Sequence, residues 1–377
     1  MTIVFLIDQM YLHGGIERVL SIKANYFATQ ENVEVHIITS EQKNKALCYH
    51  LHSKIRLYDL KINYQRDKSY FHPKNLLKLP THIYTLRKKL KKITPDVVIV
   101  CSHSTDTYFV PFILKRIPKV KEFHFSKAIE LPYRENPSHW KKTYFLKFAD
   151  FVESKYDQLI VLNADEANYY KTNNISIIPN PLTFYPDAIA KLEEKIVITA
   201  GRIAHVKGYD RLIAIWELVA KEIKDWRLEI YGSGDPAYVQ MLQDEINKKN
   251  LQDQVVLMGA TNQIQAKLLQ SSLFVMTSHN ECFPLVLLEA QACGLPIVAY
   301  DCPHGPKNII NLENGCLIPP NEAQQFANAT IKQINNQELR IKMGKNARKN
   351  STKYRLDAVM HQWEHVINSL TTNTARL

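Results

Sequence analysis

The sequence predicts an α/β protein built from two doubly wound, Rossmann-like domains, and three observations carry that prediction. Short apolar runs of strand length alternate with helix-patterned segments along the whole chain, as parallel sheets covered by helices require. The alternation restarts after an interruption at Ile178-Pro179-Asn180-Pro181 and Pro186, where neither period survives. A length of 377 residues exceeds one ordinary core and suits two.

Element by element, the first half offers strands at 3–7, 33–38, 97–100, 121–124 and 159–162. The first of these, Ile3-Val4-Phe5-Leu6-Ile7, is apolar throughout, as a strand buried on both faces should be. The second half offers strands at 196–199, 228–231, 255–258, 273–276 and 297–299, with helical patterns opening at Gly208, Pro236 and Leu285 between them. The expected boundaries are 1–182 for the first domain, 183–355 for the second and 356–377 for a terminal helical segment. Short-period repeats and low-complexity tracts are absent, which sets solenoids and linker arrays aside.

Hydrophobic residues make up 45% and charged residues 23%, and no apolar run approaches the roughly 18 residues of a membrane span. The start, Met1 to Asp8, carries no basic leader or cleavage pattern, and the six cysteines are scattered without paired spacing. Reduced thiols in the cytoplasm are therefore expected. The formal charge of +11 admits nucleic acid, an anionic membrane or an anionic substrate as partner. Basic residues gather at Arg87-Lys88-Lys89 with Lys91-Lys92, at Lys115-Arg116 with Lys119 and Lys121, and at Lys141-Lys142 with Lys147. The first group reads equally as a solvated helix face or as a lipid-adsorbing one. Trp140, Tyr144, Phe145 and Phe148 beside the third favour shallow membrane contact, peripheral at the inner face. With no helix-turn-helix, zinc-finger or RNP-like pattern, no nucleic-acid partner is expected.

The most informative segment is Ser278-His279-Asn280-Glu281-Cys282-Phe283-Pro284-Leu285-Val286-Leu287-Leu288-Glu289-Ala290, continuing to Cys293-Gly294-Leu295-Pro296. Pro284 suits a first helical turn, which leaves Glu281 in the preceding loop and turns Glu289 inward more than a turn later. On their own the two carboxylates read as a general acid and base, or as ligands for two groups flanking an anion at the helix start. Two cations, Arg202 and Lys207, follow the strand 196–199 in Gly201-Arg202-Ile203-Ala204-His205-Val206-Lys207-Gly208, at the edge where open α/β sheets collect ligands. Alone, they read as solvated loop charges. His13-Gly14-Gly15 follows the first strand and opens a helix, either as a tight turn or as backbone that a ligand approaches closely.

The Glu-x7-Glu spacing followed by Ala-Cys-Gly-Leu-Pro, with Gly-Arg-x4-Lys-Gly before it, resembles retaining glycosyltransferases of family 4. These have the GT-B fold, two Rossmann-like domains facing across a cleft. The resemblance implies that Glu281 binds sugar hydroxyls, Glu289 a ribose, and Arg202 and Lys207 a pyrophosphate. It implies further that Gly14 and Gly15 approach the donor phosphates, and that Cys282, Phe283, Pro284 and Leu285 contact the donor through backbone and shape. A histidine at the ligand edge of the first domain, assigned to His124 with His103 as rival, would line the reaction centre. The terminal helix would cross back to the first domain. Cys282 stands where the family commonly has glycine, which leaves donor preference open.

No Asp-x-Asp pair, zinc spacing or Gly-x-Ser-x-Gly occurs. The implied activity is metal-independent transfer of a hexose from a nucleotide-diphosphate sugar, with UDP as the expected carrier and no cofactor besides this donor substrate. The acceptor would be a glycan or a polyprenyl-diphosphate-linked glycan of cell-surface polysaccharide synthesis, met by the loops at 63–80 and 129–139. A sugar-nucleotide epimerase or hydrolase of the same architecture, or an inactive binding protein, is the alternative.

Overall fold

The computed structural model describes residues 1–69, 72–136, 140–303 and 305–374, the side chains of 373 and 374 excepted. His139, at the end of the candidate loop 129–139, lies outside the described residues, as do positions 70 and 71 of the loop 63–80. The chain divides into two compact units, Met1–Pro181 with Val359–Leu377, and Leu182–Ala358.

The first unit is a parallel sheet of β1 (Thr2–Ile7), β2 (Glu34–Thr39), β3 (Arg56–Asp59), β4 (Val97–Val100), β5 (Lys119–Glu122), β6 (Gln158–Val161) and β7 (Ile175–Ile177), in the order β3-β2-β1-β4-β5-β6-β7. The second is a parallel sheet of β8 (Ile196–Ala200), β9 (Arg227–Tyr231), β10 (Val255–Gly259), β11 (Leu273–Met276), β12 (Ile297–Tyr300) and β13 (Gly315–Ile318), in the order β10-β9-β8-β11-β12-β13. The longer helices of the first unit are α1 (Gly15–Thr29), α2 (Leu79–Ile93) and α3 (Trp140–Glu153). Those of the second are α4 (Tyr209–Glu222), α5 (Pro236–Lys248), α6 (Leu285–Ala292), α7 (Ala323–Asn335) and α8 (Gln337–Ser351). A terminal helix α9 (Leu356–Thr374) begins in the second unit and continues into the first. Among the described residues, no helix is long and apolar enough to cross a membrane.

Each unit is the doubly wound pattern in which the chain leaves the first strand in one direction, then returns to build outward on its other side. The central strands are buried on both faces, which is why Ile3 to Ile7 and Val97 to Val100 carry no polar residue. The second core gathers Trp216, Leu212, Leu228, Ile230, Leu242 and Phe326 between sheet and helices.

Three strands escaped the sequence pattern. Arg56-Leu57-Tyr58-Asp59 mixes charge with apolar residues because β3 is an edge; β7 has three residues, and β13 begins on glycine. The register of β5 also corrects an expectation. Lys119, Val120 and Lys121 pair with Val98, Ile99 and Val100, so the strand ends at Glu122 and His124 lies two residues beyond it.

Two cations of the second basic group are inside. Lys119 donates from Nζ to the Leu114 and Ile117 carbonyls at 2.5 Å each, and Lys121 to the Val100 carbonyl at 3.3 Å and to Ser102 and Glu122 carbonyls. Burial lowers both ammonium groups to a pKa of about 8. By contrast Arg87, Lys88, Lys91 and Lys92 of α2 are exposed opposite buried Leu86 and Leu90, so that cluster lies on the outward face of the helix.

Trp363 of α9 is 1% exposed and its ring lies 4.2 Å from Lys23 Nζ of α1, while Tyr26 donates its hydroxyl to Glu364 at 3.0 Å. Trp363→Ala should therefore lower stability by about 3–5 kcal/mol, read as a shift in the denaturant midpoint. A loss below about 1 kcal/mol would show that α9 is not anchored through this ring.

Candidate functional site

In the second unit the strand order turns back between β8 and β11, and the loops after these strands are bonded to each other. The His279 N–H donates to the Val206 carbonyl at 2.8 Å, and the Thr277 hydroxyl to the Gly208 carbonyl at 2.8 Å. Gly208 has φ +64°, and a Cβ there would sit 2.3 Å from the Thr277 carbonyl oxygen. Only glycine satisfies both the left-handed turn and that approach. The turn delivers Lys207, whose Nζ lies 2.5 Å from Glu281 Oε1, and the Ser278 hydroxyl donates to the same oxygen at 2.8 Å.

A third loop closes on this pair. A Cβ on Gly305, after β12, would lie 2.7 Å from the Glu281 carbonyl oxygen, so that chain runs against the backbone of Glu281. Burial, then the charge of Glu281, push the Cys302 thiol up to about 12. Burial and Arg211 hold His279 below its ordinary range; Arg211 Nη1 is 3.3 Å from His279 Nδ1.

Pro284 has φ −70° and ψ 109° and caps α6, which starts at Leu285 as the helical pattern suggested, with Pro284 just before the first turn rather than in it. Having no N–H, Pro284 contributes shape and direction alone, while the first turn from Leu285 directs its amides outward along the axis. Cys282 and Phe283 are buried, the ring of Phe283 packing edge-on to Tyr354 at 5.6 Å. Neither Cys282 nor Phe283 has a positive φ, so cysteine in place of glycine costs no backbone strain. Glu289, one turn into α6, is 3% exposed and accepts from the Thr183 hydroxyl at 2.5 Å. Arg202 is exposed in the loop after β8, with no ion-pair partner among the described residues. The structure thus joins Lys207 to Glu281 directly, sets Glu289 in the helix that follows, and leaves Arg202 free to meet an anion.

The first unit turns back between β1 and β4. Gly14 precedes α1 and Gly15 opens it, both with ordinary φ. Their roles separate: a Cβ on Gly14 would meet the unit's own Glu17 Oε2 at 2.1 Å, whereas one on Gly15 would meet nothing within 4 Å. A side chain at Gly14 would displace the Glu17 carboxylate, and Gly15 is where another molecule has room.

His124 is held from behind. Its Nε2 lies 3.3 Å from Glu122 Oε1, and Glu122 Oε2 accepts from the buried Lys23 ammonium and, at 3.4 Å, from the Cys101 thiol. Burial opposes ionisation of Glu122, but Lys23 and His124 offset it and hold the carboxyl well below its usual range. His103 stacks at 6.2 Å on Phe123, and burial then Lys121 keep it neutral. Of the two, His124 is the one paired with a carboxylate.

The sequence reading missed a polar network at this edge. Arg66 Nη2 lies 3.2 Å from Asp8 Oδ2 and donates to Gln9 Oε1 at 2.7 Å, while its Nε pairs with buried Glu41. Gln9 passes its own amide N–H to Glu17 at 2.6 Å, linking the network to the glycine turn. Asp106 accepts from the Ser102 hydroxyl at 2.7 Å and the Ser104 hydroxyl at 2.9 Å. The available signal was Asp8 itself, the first charged residue after a wholly apolar strand. Burial, then Asp106, raise Asp8 to a pKa of about 6 from 3.8.

Comparison with known proteins fits this arrangement. The family model for Glycosyltransferase Family 4 matches residues 13–183, and that for Glycosyl transferases group 1 matches residues 184–350. A glycosyltransferase of Haemophilus influenzae, itself uncharacterized, is 34% identical over 223 residues, 56% of this chain and 61% of that protein. The Staphylococcus aureus poly(ribitol-phosphate) alpha-N-acetylglucosaminyltransferase is 32% identical over 209 residues, 54% of this chain and 42% of that one. The chain spans less than two thirds of the length of the first curated relatives it matches. Among solved structures, Anabaena HepE in complex with UDP superposes with a TM-score of 0.76 at 19% identity, covering 98% of this chain and 100% of that one, a likeness of GT-B fold.

Two expectations follow. Gly208→Ala forces a left-handed alanine against the Thr277 carbonyl and should cost about 1–3 kcal/mol, seen as a lowered melting temperature; an unchanged one would refute the strain. Because the folded state holds the Asp8 proton more tightly than the unfolded state, stability from this group is present below pH 3.8 and lost as pH rises toward about 6. Asp8→Asn should flatten that decline, which is worth up to about 3 kcal/mol, in denaturant titrations across the window. A wild-type-to-variant difference that stays constant with pH would contradict the shift.

Proposed function

The chain belongs to the glycosyltransferases that the Family 4 and group 1 models describe, and from that premise we propose that it is a retaining, metal-independent hexosyltransferase using a UDP-sugar. Its acceptor is a glycan or polyprenyl-diphosphate-linked glycan of cell-surface polysaccharide synthesis at the inner face of a membrane. The observation that carries the reading is the 2.5 Å Lys207–Glu281 pair, set where the second sheet turns back and directly before the start of α6.

That arrangement suits a sugar diphosphate. An ammonium has three donors, so Lys207 can hold Glu281 and still meet a phosphate oxygen. Arg202 adds an exposed guanidinium with no ion-pair partner among the described residues, and the α6 amides add partial positive charge. These groups favour the transition state because negative charge grows on the diphosphate as the bond from sugar carbon 1 breaks. Glu281 accepts from sugar hydroxyls. Glu289, ordered by Thr183, accepts from ribose hydroxyls. The acceptor oxygen bonds to carbon 1 on the face the phosphate leaves, and its proton passes to the departing phosphate oxygen. No side chain then has to serve as nucleophile, and fixed cations supply the countercharge that a metal would otherwise give.

Support for UDP comes from the HepE complex, whose ligand is UDP. Support for retention comes from the alpha-linkage in the name of the S. aureus relative. In the first unit, His124, backed by Glu122 and Lys23, and Gly15, with open space around it, are the residues proposed to take part in donor binding.

Lys207→Ala should lower kcat/KM by about 10²–10³, measured as acceptor-dependent UDP release, with unfolding behaviour little changed. NMR of the product should show the anomeric configuration of the donor, and EDTA should leave the rate unaltered. An inverted product, EDTA-sensitive turnover, or a fully active Lys207→Ala protein would each overturn its part of the proposal.

A further inference from the structure

Along α3 the exposed residues are not those of a solvated helix. Trp140, Tyr144, Phe148 and Phe151 are 59%, 66%, 45% and 50% exposed, and their spacing places them within about 80° of one another around the axis. The opposite side carries the buried Leu146, Ala149 and Val152. Phe112, also exposed, stacks on Phe151 at 6.2 Å and extends the apolar strip beyond the helix.

Cations flank the strip. Lys141 Nζ lies 5.5 Å from the Trp140 ring, Lys147 Nζ 5.3 Å from Tyr144 and Lys155 Nζ 4.9 Å from Phe151, and Lys115 and Arg116 are exposed just past Phe112. The acids of the same helix are engaged elsewhere: Asp150 pairs with Arg134 and Lys127, and Glu153 with Lys127. The outward face is therefore aromatic and basic together, whereas an ordinary surface would intersperse carboxylates.

We propose that this face of α3, with the turn at 112–116, is a docking surface for an anionic lipid bilayer. The aromatic rings enter the interfacial layer and the flanking cations meet headgroup phosphates. A second copy of the chain is a poorer occupant, because two such faces would set the same five cations against each other. The inference rests on the membrane-side acceptor of the proposed function and on no property of the donor, so vesicle binding and sugar transfer are read separately.

The fluorescence of the protein isolates this surface. Of its four tryptophans, Trp216, Trp226 and Trp363 are buried, leaving Trp140 alone exposed among them. Vesicles of phosphatidylglycerol and phosphatidylcholine in equal parts should shift Trp140 emission to the blue and protect it from iodide. Pure phosphatidylcholine should do so far less, and raising salt from about 0.05 M to about 0.5 M should weaken binding. In cosedimentation, Tyr144→Ala with Phe148→Ala, and separately Lys141→Glu with Lys147→Glu, should each lower partitioning about 10-fold or more, while turnover of a water-soluble acceptor stays at the wild-type level. Wild-type affinity in either double variant, or no binding to anionic vesicles at low salt, overturns the proposal. So does a concentration-dependent dimer in sedimentation equilibrium that Tyr144→Ala with Phe148→Ala abolishes, since a second copy would then be the occupant. Vesicle binding without sugar transfer would overturn the transferase reading and leave this one standing.

Discussion

Everything chemical in this protein depends on one topological constraint: each parallel sheet turns back beside its first strand. At that point the connections after β1 and β4, and after β8 and β11, run to opposite faces, so the carboxyl edge between them stays open. Backbone amides and charged side chains there cannot be buried in apolar packing. In the second unit the edge collects Lys207, Glu281 and the start of α6; in the first it collects the glycine turn, Asp8, Arg66 and Asp106. The innermost strands of the first sheet, Ile3 to Ile7 and Val97 to Val100, are apolar because they must bury both faces.

The two edges handle that charge differently. In the second unit the loops are stitched by backbone bonds and by glycines pressed against neighbouring carbonyls, so Lys207 and Glu281 arrive already paired. Arg202 stays exposed and Glu289 sits in a helix. Such preorganisation suits a ligand whose charge changes during reaction. In the first unit, charge is sunk beneath the edge. Lys23, Lys121 and Glu122 are fully enclosed, and against the cost of burial Lys23 and His124 hold the Glu122 carboxyl below its usual range. Removing one member of such a set leaves the others uncompensated, a loss of about 3–5 kcal/mol in comparable buried pairs. His124 inherits its orientation from this set, and Trp363 closes it from α9.

Much of the fold was legible because buried parallel strands write themselves as unbroken apolar runs. The exceptions were β3, β7 and β13, edge or very short strands whose residues must also face water. The acidic motif and the two cations were legible as a spacing, since a loop leading into a helix fixes what seven residues can separate. Gly14 and Gly15 were legible only as a pair: which of them answers to Glu17 and which faces open space is a matter of packing. The burial of Lys119 and Lys121 was not legible, because the backbone carbonyls that compensate them are brought together only by the fold. The Asp8–Arg66–Glu41 network joins residues 25 or more positions apart in the chain, which no local pattern reveals.

The central claim is that the edge holding Lys207, Glu281 and Glu289 is a site for a UDP-sugar. Calorimetric titration of the protein with UDP tests it most directly, beside a Glu289→Gln variant of matched melting temperature. The account predicts one site per chain, with affinity at least about 10-fold weaker in the variant because a buried charge-assisted bond to the ribose is lost. No binding of UDP to the wild-type protein, or equal affinity in both, would contradict it.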